Sequence, residues 1–487
     1  MSQRLDVDGV SVSPDHFING ERVGSARTFE DRSPLDWEWK LADVARGGPI
    51  EADLAVTAAV EAFPAWAALG TDERGVYLDR LAELIDRDVE SIAHVECLDM
   101  AMLEESLRLR VIGRGARNFR AYAELARSYD PRRWSSNGTA NTVLRMPAGP
   151  TVVITPWNAP FMLSTWKCAP ALAAGNTVVL KPAEWSPLSC SMLMDLVAEA
   201  GFPPGVFNVV QGLGEEVGAA LVSDARVRRI SFTGSPETGR IIGEAAARNL
   251  VPFTAELGGK GPFIVFADAD LDAAAQKAAV MFDDGGQVCL AGTRILVDAS
   301  VRPKFVERLV EATGQHRLGD SRDGATTLSP LIHPEHLARV EGFVDRARHD
   351  GDTIVFGGRR ETEGGLWFQP TLIEPRSNEA EVVQREIFGP VLTIQSFEDE
   401  DEAVRLANST PYGLSAIVYT SSEQRAERLG AGLRAGTIWV NCFLVRDLSA
   451  PFGGTGVSGI GREGGDYALD FYSDLKTLQI KEGTTHG

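Results

Sequence analysis

Thr151-Val152-Val153-Ile154, followed at once by Thr155-Pro156-Trp157-Asn158, is the stretch that decides the fold. Four apolar or β-branched residues ending at a Pro and an Asn read as a short buried strand. The apolar segment 163–174 behind them reads as a helix. The pattern then repeats. Thr177-Val178-Val179-Leu180, Gly205-Val206-Phe207-Asn208-Val209-Val210 and Arg229-Ile230-Ser231-Phe232 are strand-like, with helix-like segments at 187–200 and 216–223 between them. A spacing of about 25 to 30 residues leaves room for one crossover helix per strand, so βαβ units and a parallel, doubly wound α/β sheet are expected. Ligands of such sheets bind beyond the carboxyl ends of the strands. Those ends are Pro156-Trp157-Asn158, Lys181-Pro182-Ala183-Glu184, Gly212-Leu213-Gly214 and Thr233-Gly234-Ser235.

On the N-terminal side, residues 1–50 read as short strands and turns, with a hairpin at 17–23. Residues 51–129 are helical in pattern: Ala55, Ala58, Ala59 and Ala62 recur at three- and four-residue spacing, as do Leu78, Leu81, Leu84 and Ile85. Segment 108–127 is a helix dense in arginine, most of which reads as a solvated face. Asp130-Pro131 breaks the pattern and leads into an extended, hairpin-like insertion around Asn137-Gly138-Thr139. On the C-terminal side, strand-like runs at 263–266, 294–297, 353–356, 391–394 and 437–440 predict a second α/β domain. The tail ends in Leu475-Lys476-Thr477-Leu478-Gln479-Ile480-Lys481, a strand with no evident partner. Such an edge is covered by pairing with another subunit, which predicts an oligomer.

The bulk numbers bound the function. With 487 residues, 44% apolar and 24% charged, two or more ordinary globular domains are expected. A formal charge of −20 argues against nucleic acid and against anionic membranes as partners. The five cysteines form no CxxC and no short pairing with histidine, which gives neither a disulfide framework nor a metal site. No apolar run approaches the ~20 residues of a membrane helix, and the polar start lacks a secretory h-region. A cytoplasmic protein is expected.

The candidate chemistry lies in two glycine turns. In Phe282-Asp283-Asp284-Gly285-Gly286-Gln287-Val288-Cys289-Leu290-Ala291-Gly292-Thr293 a lone thiol follows two glycines, between a helix-like and a strand-like run. Thirty-three residues upstream, Glu256-Leu257-Gly258-Gly259-Lys260 places a carboxylate at another glycine turn. Cys289 as nucleophile with Glu256 as general base is the hypothesis, since no Cys-His or Ser-His-Asp arrangement is visible. Cys97, Cys168 and Cys190 read as small core hydrophobes. None of the four strand-end turns is a GxGxxG fingerprint. Ser235 suits a helix N-cap and Pro236 the first helical position, a start that can hold a phosphate. Glu184 could hydrogen-bond ribose hydroxyls and repel a 2′-phosphate. Each of these also has a purely structural reading, and the residues alone leave both open.

Eight blocks, in order over residues 17–480, resemble the aldehyde dehydrogenase superfamily. They are Thr155-Pro156-Trp157-Asn158-Ala159-Pro160, Lys181-Pro182-Ala183-Glu184, the segment 201–210, Phe232-Thr233-Gly234-Ser235, Glu256-Leu257-Gly258-Gly259-Lys260, Gly286-Gln287-Val288-Cys289, Glu386-Ile387-Phe388-Gly389-Pro390 and Pro451-Phe452-Gly453-Gly454. The resemblance implies an NAD-binding domain (1–130 and 148–258), a catalytic domain (259–450) and a β oligomerisation arm (131–147 and 467–487), assembled as a homodimer or homotetramer. It implies oxidation of an aldehyde to its acid. Cys289 attacks the carbonyl, Asn158 and the Cys289 N–H hold the oxyanion, hydride leaves to nicotinamide, and Glu256 activates water on the thioester. It assigns Thr155, Pro156, Trp157, Lys181, Glu184, Gly214, Phe232, Thr233, Gly234, Ser235, Leu257, Glu386 and Phe388 to the cofactor, with Glu184 favouring NAD over NADP.

The segment Asn441-Cys442-Phe443-Leu444-Val445-Arg446-Asp447-Leu448 is similar to the branch acting on 2-hydroxymuconic semialdehydes, including the 5-carboxymethyl type. That similarity assigns Arg114, Met162, Trp166, Arg446 and Phe452 to a carboxylate-bearing semialdehyde. Neutral aromatic aldehydes and succinate semialdehyde are the alternatives, with an Arg446–Asp447 structural pair as the bland reading of the arginine. A non-catalytic binding protein is disfavoured by the joint presence of Cys289, Glu256, Asn158, Lys181 and Glu386, and a cofactor-independent thiol esterase by that of Lys181, Glu184 and Glu386. Two departures stand out: Gly261 replaces the usual Ser, Asn, Asp or Ala, and the interval from Glu256 to Cys289 is one residue short. The deletion is placed in the helix before Phe282, where it could change the direction of Cys289.

Overall fold

A computed structural model describes residues 4–361 and 365–483. The first strands are Leu5–Val7 (β1), Val10–Val12 (β2), His16–Ile18 (β3), Glu21–Val23 (β4), Thr28–Arg32 (β5) and Lys40–Ala45 (β6). The expected hairpin is β3–β4, turned by Asn19 and Gly20 at φ 54° and 81°, the two left-handed positions of a tight hairpin loop. Helices Pro49–Ala68 (α1), Thr71–Arg87 (α2), Val89–Met100 (α3) and Gly113–Arg127 (α4) follow. Their core stripes are the expected ones, with Ala55, Ala59, Leu78, Leu81 and Ile85 fully buried.

The 151–256 region forms the parallel centre of an eight-stranded sheet. Its strands are Thr151–Ile154 (β9), Val178–Lys181 (β10), Phe207–Val209 (β11), Arg229–Thr233 (β12) and Phe253–Glu256 (β13), in spatial order β13-β12-β9-β10-β11. Helices Pro160–Ala173 (α5), Leu188–Glu199 (α6) and Pro236–Arg248 (α7) cross over between or after them. Val152, Val153, Val178, Leu180 and Ile230 are buried, as strands covered on both faces require. The chain runs outward from β9 in one direction through β10 and β11, then returns to β12 on its other side. The crevice between the carboxyl ends of β9 and β12 is therefore the switch point of the sheet.

A second sheet has the order β16-β17-β18-β15-β14-β19-β20. These strands are Pro262–Val265 (β14), Arg294–Asp298 (β15), Thr353–Phe356 (β16), Thr371–Glu374 (β17), Val391–Phe397 (β18), Ser415–Tyr419 (β19) and Thr437–Val440 (β20). All neighbours are parallel except β16 against β17. Helices Leu271–Ala279 (α8) and Pro334–His349 (α9) belong to this half. After β20 the chain returns to the first sheet. Gly459–Ile460 (β21) adds antiparallel to β13, with Glu256 opposite Gly459, and Phe452 and Glu463 exchange both backbone hydrogen bonds at 2.6 and 2.7 Å.

The tail strand does have a partner, contrary to its sequence reading. Ser473–Lys481 (β22) pairs antiparallel with Thr139–Pro147 (β8) over nine registers, and β8 pairs on its other side with Arg133–Ser136 (β7). What stays open is the outer edge of β22, where Leu475, Leu478 and Ile480 are exposed. Residues 484–487 lie outside the described residues. The root of this sheet is held by buried Asn176, whose Oδ1 accepts from Ala148 and Gly149 N–H (2.8 Å each) and whose Nδ2 donates to Tyr472 O (2.7 Å). Asn176→Ala leaves these buried groups unpaired. A loss of about 1–3 kcal/mol in chemical denaturation is expected, and an unchanged midpoint would contradict this tie.

Among the described residues no single helix is long and apolar enough to cross a membrane. The arginine-dense segment is not one regular helix: a π-helical stretch, Leu107–Ile112, precedes α4. Arg120 and Arg127 point to solvent and pair with Asp86 and Asp79 at 2.6 Å, as a solvated face predicts. Arg114 does not join them.

Candidate active site

The thiol loop owes its shape to three successive left-handed residues, Asp284, Gly285 and Gly286 (φ 55°, 65° and 67°), which end the helical run after α8. A Cβ on Gly286 would collide with the backbone of Gly389, so the loop is pressed onto the segment that carries Glu386. Gln287 then pins it. Its Nε2 donates to Asp284 O (3.1 Å) and Pro330 O (3.4 Å), and its Oε1 accepts from Ile332 N–H (3.0 Å). Asn158, just beyond β9, donates Nδ2 to Gln287 O at 2.8 Å. The Asn158 amide thus lies at the Cys289 loop, as the sequence motifs require.

Glu256 is the last residue of β13, not part of the glycine turn that follows it. Past it, a Cβ on Gly259 would collide with the Cys289 carbonyl oxygen, and one on Gly258 with the Glu386 carboxylate. Two glycines therefore let the Glu256, Cys289 and Glu386 segments meet at one point, despite the short interval. Gly259 N–H donates to Glu386 Oε1 at 2.8 Å. Both Glu256 carboxylate oxygens are buried without a hydrogen-bond partner among the described residues.

The charges follow from this crowding. Burial, then Glu463, raises the Glu256 carboxyl well above the usual range, against Lys167, Arg462 and Arg446. Burial, then Glu386 and Glu256, pushes the Cys289 thiol up to about 12, with Arg446 acting the other way. Burial raises Glu386 to about 7, opposed by the Gly259 N–H, Arg339 and Lys260. A buried carboxyl whose pKa is raised and whose oxygens are unpartnered holds a proton more tightly than an exposed one, which suits it to proton transfer.

Below Glu256 is a group that sequence reading missed. Lys167 forms an ion pair with Glu463, and Trp166 Nε1 donates to Glu463 Oε2 at 2.6 Å. Lys167 also reaches Ser231 Oγ at 3.2 Å. The available signal is Lys167 as the one charged residue of α5, since a buried ammonium requires a partner.

Trp166 in turn carries two guanidinium groups, Arg114 at 5.6 Å and Arg446 at 5.3 Å from its rings, with Arg446 also 3.7 Å over Phe452. No carboxylate ion-pairs with either arginine among the described residues, and Arg114 Nε is buried and unpartnered. Burial, then the neighbouring Arg446 and Arg117, lowers Arg114 to about 10. The Arg446–Asp447 pair does not form, because Asp447 accepts from Ser449 N–H and Oγ (2.9 and 2.7 Å). Met162, one helical turn before Trp166 on α5, shares its face.

On the other side of the Cys289 loop are the strand-end turns. Lys181 Nζ is 2.6 Å from Glu184 Oε2 at the end of β10. Thr155 Oγ1 is 2.9 Å from Ser164 Oγ, and the Trp157 and Phe388 rings meet edge to face at 5.3 Å. Ser235 caps α7 by accepting from Thr238 N–H at 3.1 Å, behind Pro236 at the first helical position. The ring of Phe232 folds against Gly234, Thr233 pairs in register with Glu256, and Leu257 packs on Gly239 of α7. Gly214 stands apart, opening a π-helical turn beyond β11, two strands away from the switch point. Among the described residues no cluster of His, Cys, Asp or Glu could hold a metal ion.

Comparison with known proteins places nearly the whole chain in one family. The model of the aldehyde dehydrogenase family matches residues 22–478. The chain is 41% identical over 481 residues to 2-hydroxymuconic semialdehyde dehydrogenase of Pseudomonas sp., covering 96% of this chain and 99% of that protein. Among solved structures, HpcC from Thermus thermophilus is 45% identical with a TM-score of 0.94, covering 97% of this chain and 94% of that one. A mutant of the P. syringae AldA indole-3-acetaldehyde dehydrogenase, in complex with NAD+ and IAA, is 36% identical with a TM-score of 0.95, covering 98% of each. The chain belongs to the aldehyde dehydrogenase family and is an oxidoreductase acting on aldehydes.

Proposed function

We propose that this enzyme oxidises a carboxylate-bearing, muconic-type semialdehyde to its acid with NAD. The observation that carries the substrate reading is the pair of largely buried guanidinium groups on the Trp166 rings beside the Cys289 loop, ion-paired with no carboxylate among the described residues. A guanidinium grips a carboxylate through two parallel hydrogen bonds, and two arginines this close gain from an anion between them. The 2-hydroxymuconic semialdehyde relative supports the same class.

Cys289, its proton lost to solvent, attacks the aldehyde carbonyl carbon; a C–S bond forms as the C=O π pair moves to oxygen, and that oxyanion is held by Asn158 Nδ2 and the Cys289 N–H. NAD held in the β9–β12 crevice would supply the acceptor for the hydride of that carbon, whose departure leaves a thioester on Cys289. Glu256 then takes a proton from water as its oxygen adds to the thioester, and the Cys289 thiolate leaves. The chain fits the cofactor. The β9–β12 crevice has the α7 N-terminus on one side and carboxylates Glu184 and Glu386 toward its two ends, a donor and acceptor set suited to a pyrophosphate and two riboses. Lys181 and Glu184 suit the adenosine ribose, where the carboxylate disfavours a 2′-phosphate. Thr155, Pro156, Trp157, Phe232, Thr233, Gly234, Ser235, Leu257 and Phe388 line the way between, with Gly214 at the margin.

The same reading divides the chain into an NAD-binding domain (1–130 and 148–258), a catalytic domain (259–450) and an arm. The open β22 edge supports a homodimer or homotetramer built through the arm. Five free cysteines fit a reducing cytoplasm. The test is NADH formation with three substrates: a muconic-type semialdehyde, succinate semialdehyde and a neutral aromatic aldehyde. A clear kcat/KM preference for the first is expected. A preference for the neutral aldehyde would replace the substrate class, and ester cleavage without any NADH would replace the reaction.

A further inference from the structure

We propose that His336 is a positioning residue for the cofactor side of the site, acting through Phe388 and the adjoining Glu386. Helix α9 presents one face to three successive backbone carbonyls. Arg339 donates to Glu386 O (2.8 Å) and Ile387 O, and one turn earlier His336 Nε2–H donates to Phe388 O at 2.7 Å. The acceptor is a carbonyl, so the imidazole must carry its proton on Nε2. His336 is only 6% exposed, and its ring packs edge-on against Trp157 at 5.4 Å and Phe388 at 6.1 Å. Trp157 immediately precedes Asn158. One imidazole therefore links the strand-end turn carrying the amide to the loop carrying Glu386. Its neighbour His333 stacks flat on Trp185 (4.6 Å, 4°), next to Glu184, so the start of α9 touches both cofactor-side turns.

Phe388 shows why this bond is more than packing. Its φ of 60° is left-handed, a conformation that a bulky residue keeps only when its surroundings enforce it. The His336 bond fixes the carbonyl of that residue. Without it the Phe388 peptide can relax toward ordinary backbone, turning the Phe388 ring and loosening Glu386, while α9 remains folded through its other contacts.

The inference rests on the reading that Glu386 and Phe388 face NAD. His336→Phe keeps a ring but removes the donor, and His336→Gln keeps a donor. NAD binding is followed by tryptophan fluorescence, alongside KM for NAD, kcat, iodoacetamide alkylation of Cys289 and thermal melting. His336→Phe is expected to raise Kd and KM for NAD roughly three- to tenfold, the size of one neutral hydrogen bond, with alkylation unchanged and melting lowered no more than in His336→Gln. His336→Gln is expected to recover most of the loss. Wild-type NAD affinity in His336→Phe would overturn the inference, as would equal impairment of both variants or a loss that follows melting temperature. No NAD binding by the wild-type enzyme would overturn the cofactor reading and this inference together.

Discussion

Replacing Cys289 by alanine is expected to lower aldehyde oxidation by at least about 10⁴-fold, the scale seen when a covalent nucleophile is removed, while NAD binding stays within a few-fold of wild type. The nucleophile and the nucleotide crevice are separable, because Cys289 rests on the catalytic-half core with Val288 and Phe452, whereas the crevice is built at the ends of β9 and β12. The thiol has a second, pH-dependent signature. Burial, Glu386 and Glu256 hold it up to about 12, so in the free enzyme the thiolate is a minor species at neutrality. Alkylation by iodoacetamide needs the thiolate and should rise with pH, about tenfold per unit from about pH 7 to about pH 10. A plateau below about pH 8 would mean that a neighbouring cation, such as Arg446, outweighs burial and holds the thiol as an anion. Retained oxidation in Cys289→Ala would remove the thiohemiacetal mechanism altogether.

Arg446→Ala is expected to cost about 2–5 kcal/mol in kcat/KM toward a carboxylate-bearing semialdehyde, the usual loss when one member of a buried charged pair is truncated. For a neutral aromatic aldehyde the loss should be only a few-fold, from the packing of the guanidinium over Phe452 at 3.7 Å. Arg446→Lys should not restore the acid substrate, since an ammonium cannot make the planar two-point contact. Arg114→Ala should show the same selectivity. Both groups are largely buried, which limits screening, so moderate salt should change the preference little. Equal losses on charged and neutral aldehydes would sink the carboxylate reading while leaving the dehydrogenase intact.

The parts of this site that could be read in sequence were those written as contiguous runs. Val152–Val153 and Val178–Leu180 are unbroken apolar stretches, and buried parallel strands look like that. Strand β13 was harder. Phe253-Thr254-Ala255-Glu256 ends in a charge and runs into Gly258-Gly259, so Glu256 was read as a turn residue although it is the final ladder position. Strands β17 and β19 hide for a similar reason: one is four residues behind Pro370, the other opens with Ser415-Ala416. Arg114 is singled out from its neighbours by the family resemblance alone, because a helix pattern does not say which arginine faces a partner across the fold. His336, Gln287 and Glu463 act on residues 52, 45 and 296 positions away, and no local spacing encodes such contacts.

The double stitch at β21, where Gly459 lies opposite Glu256 and Phe452 exchanges hydrogen bonds with Glu463, separates two tasks along one stretch of chain. Residues 441–451 leave β20 and return to a fixed landing, so their outward half is free to vary like any surface loop on a rigid scaffold. Exchanging that segment between relatives should retune which aldehyde is accepted without disturbing the Glu256 carboxylate. New diets could thus be reached by editing a single interchangeable cassette while the chemistry beneath it stands still.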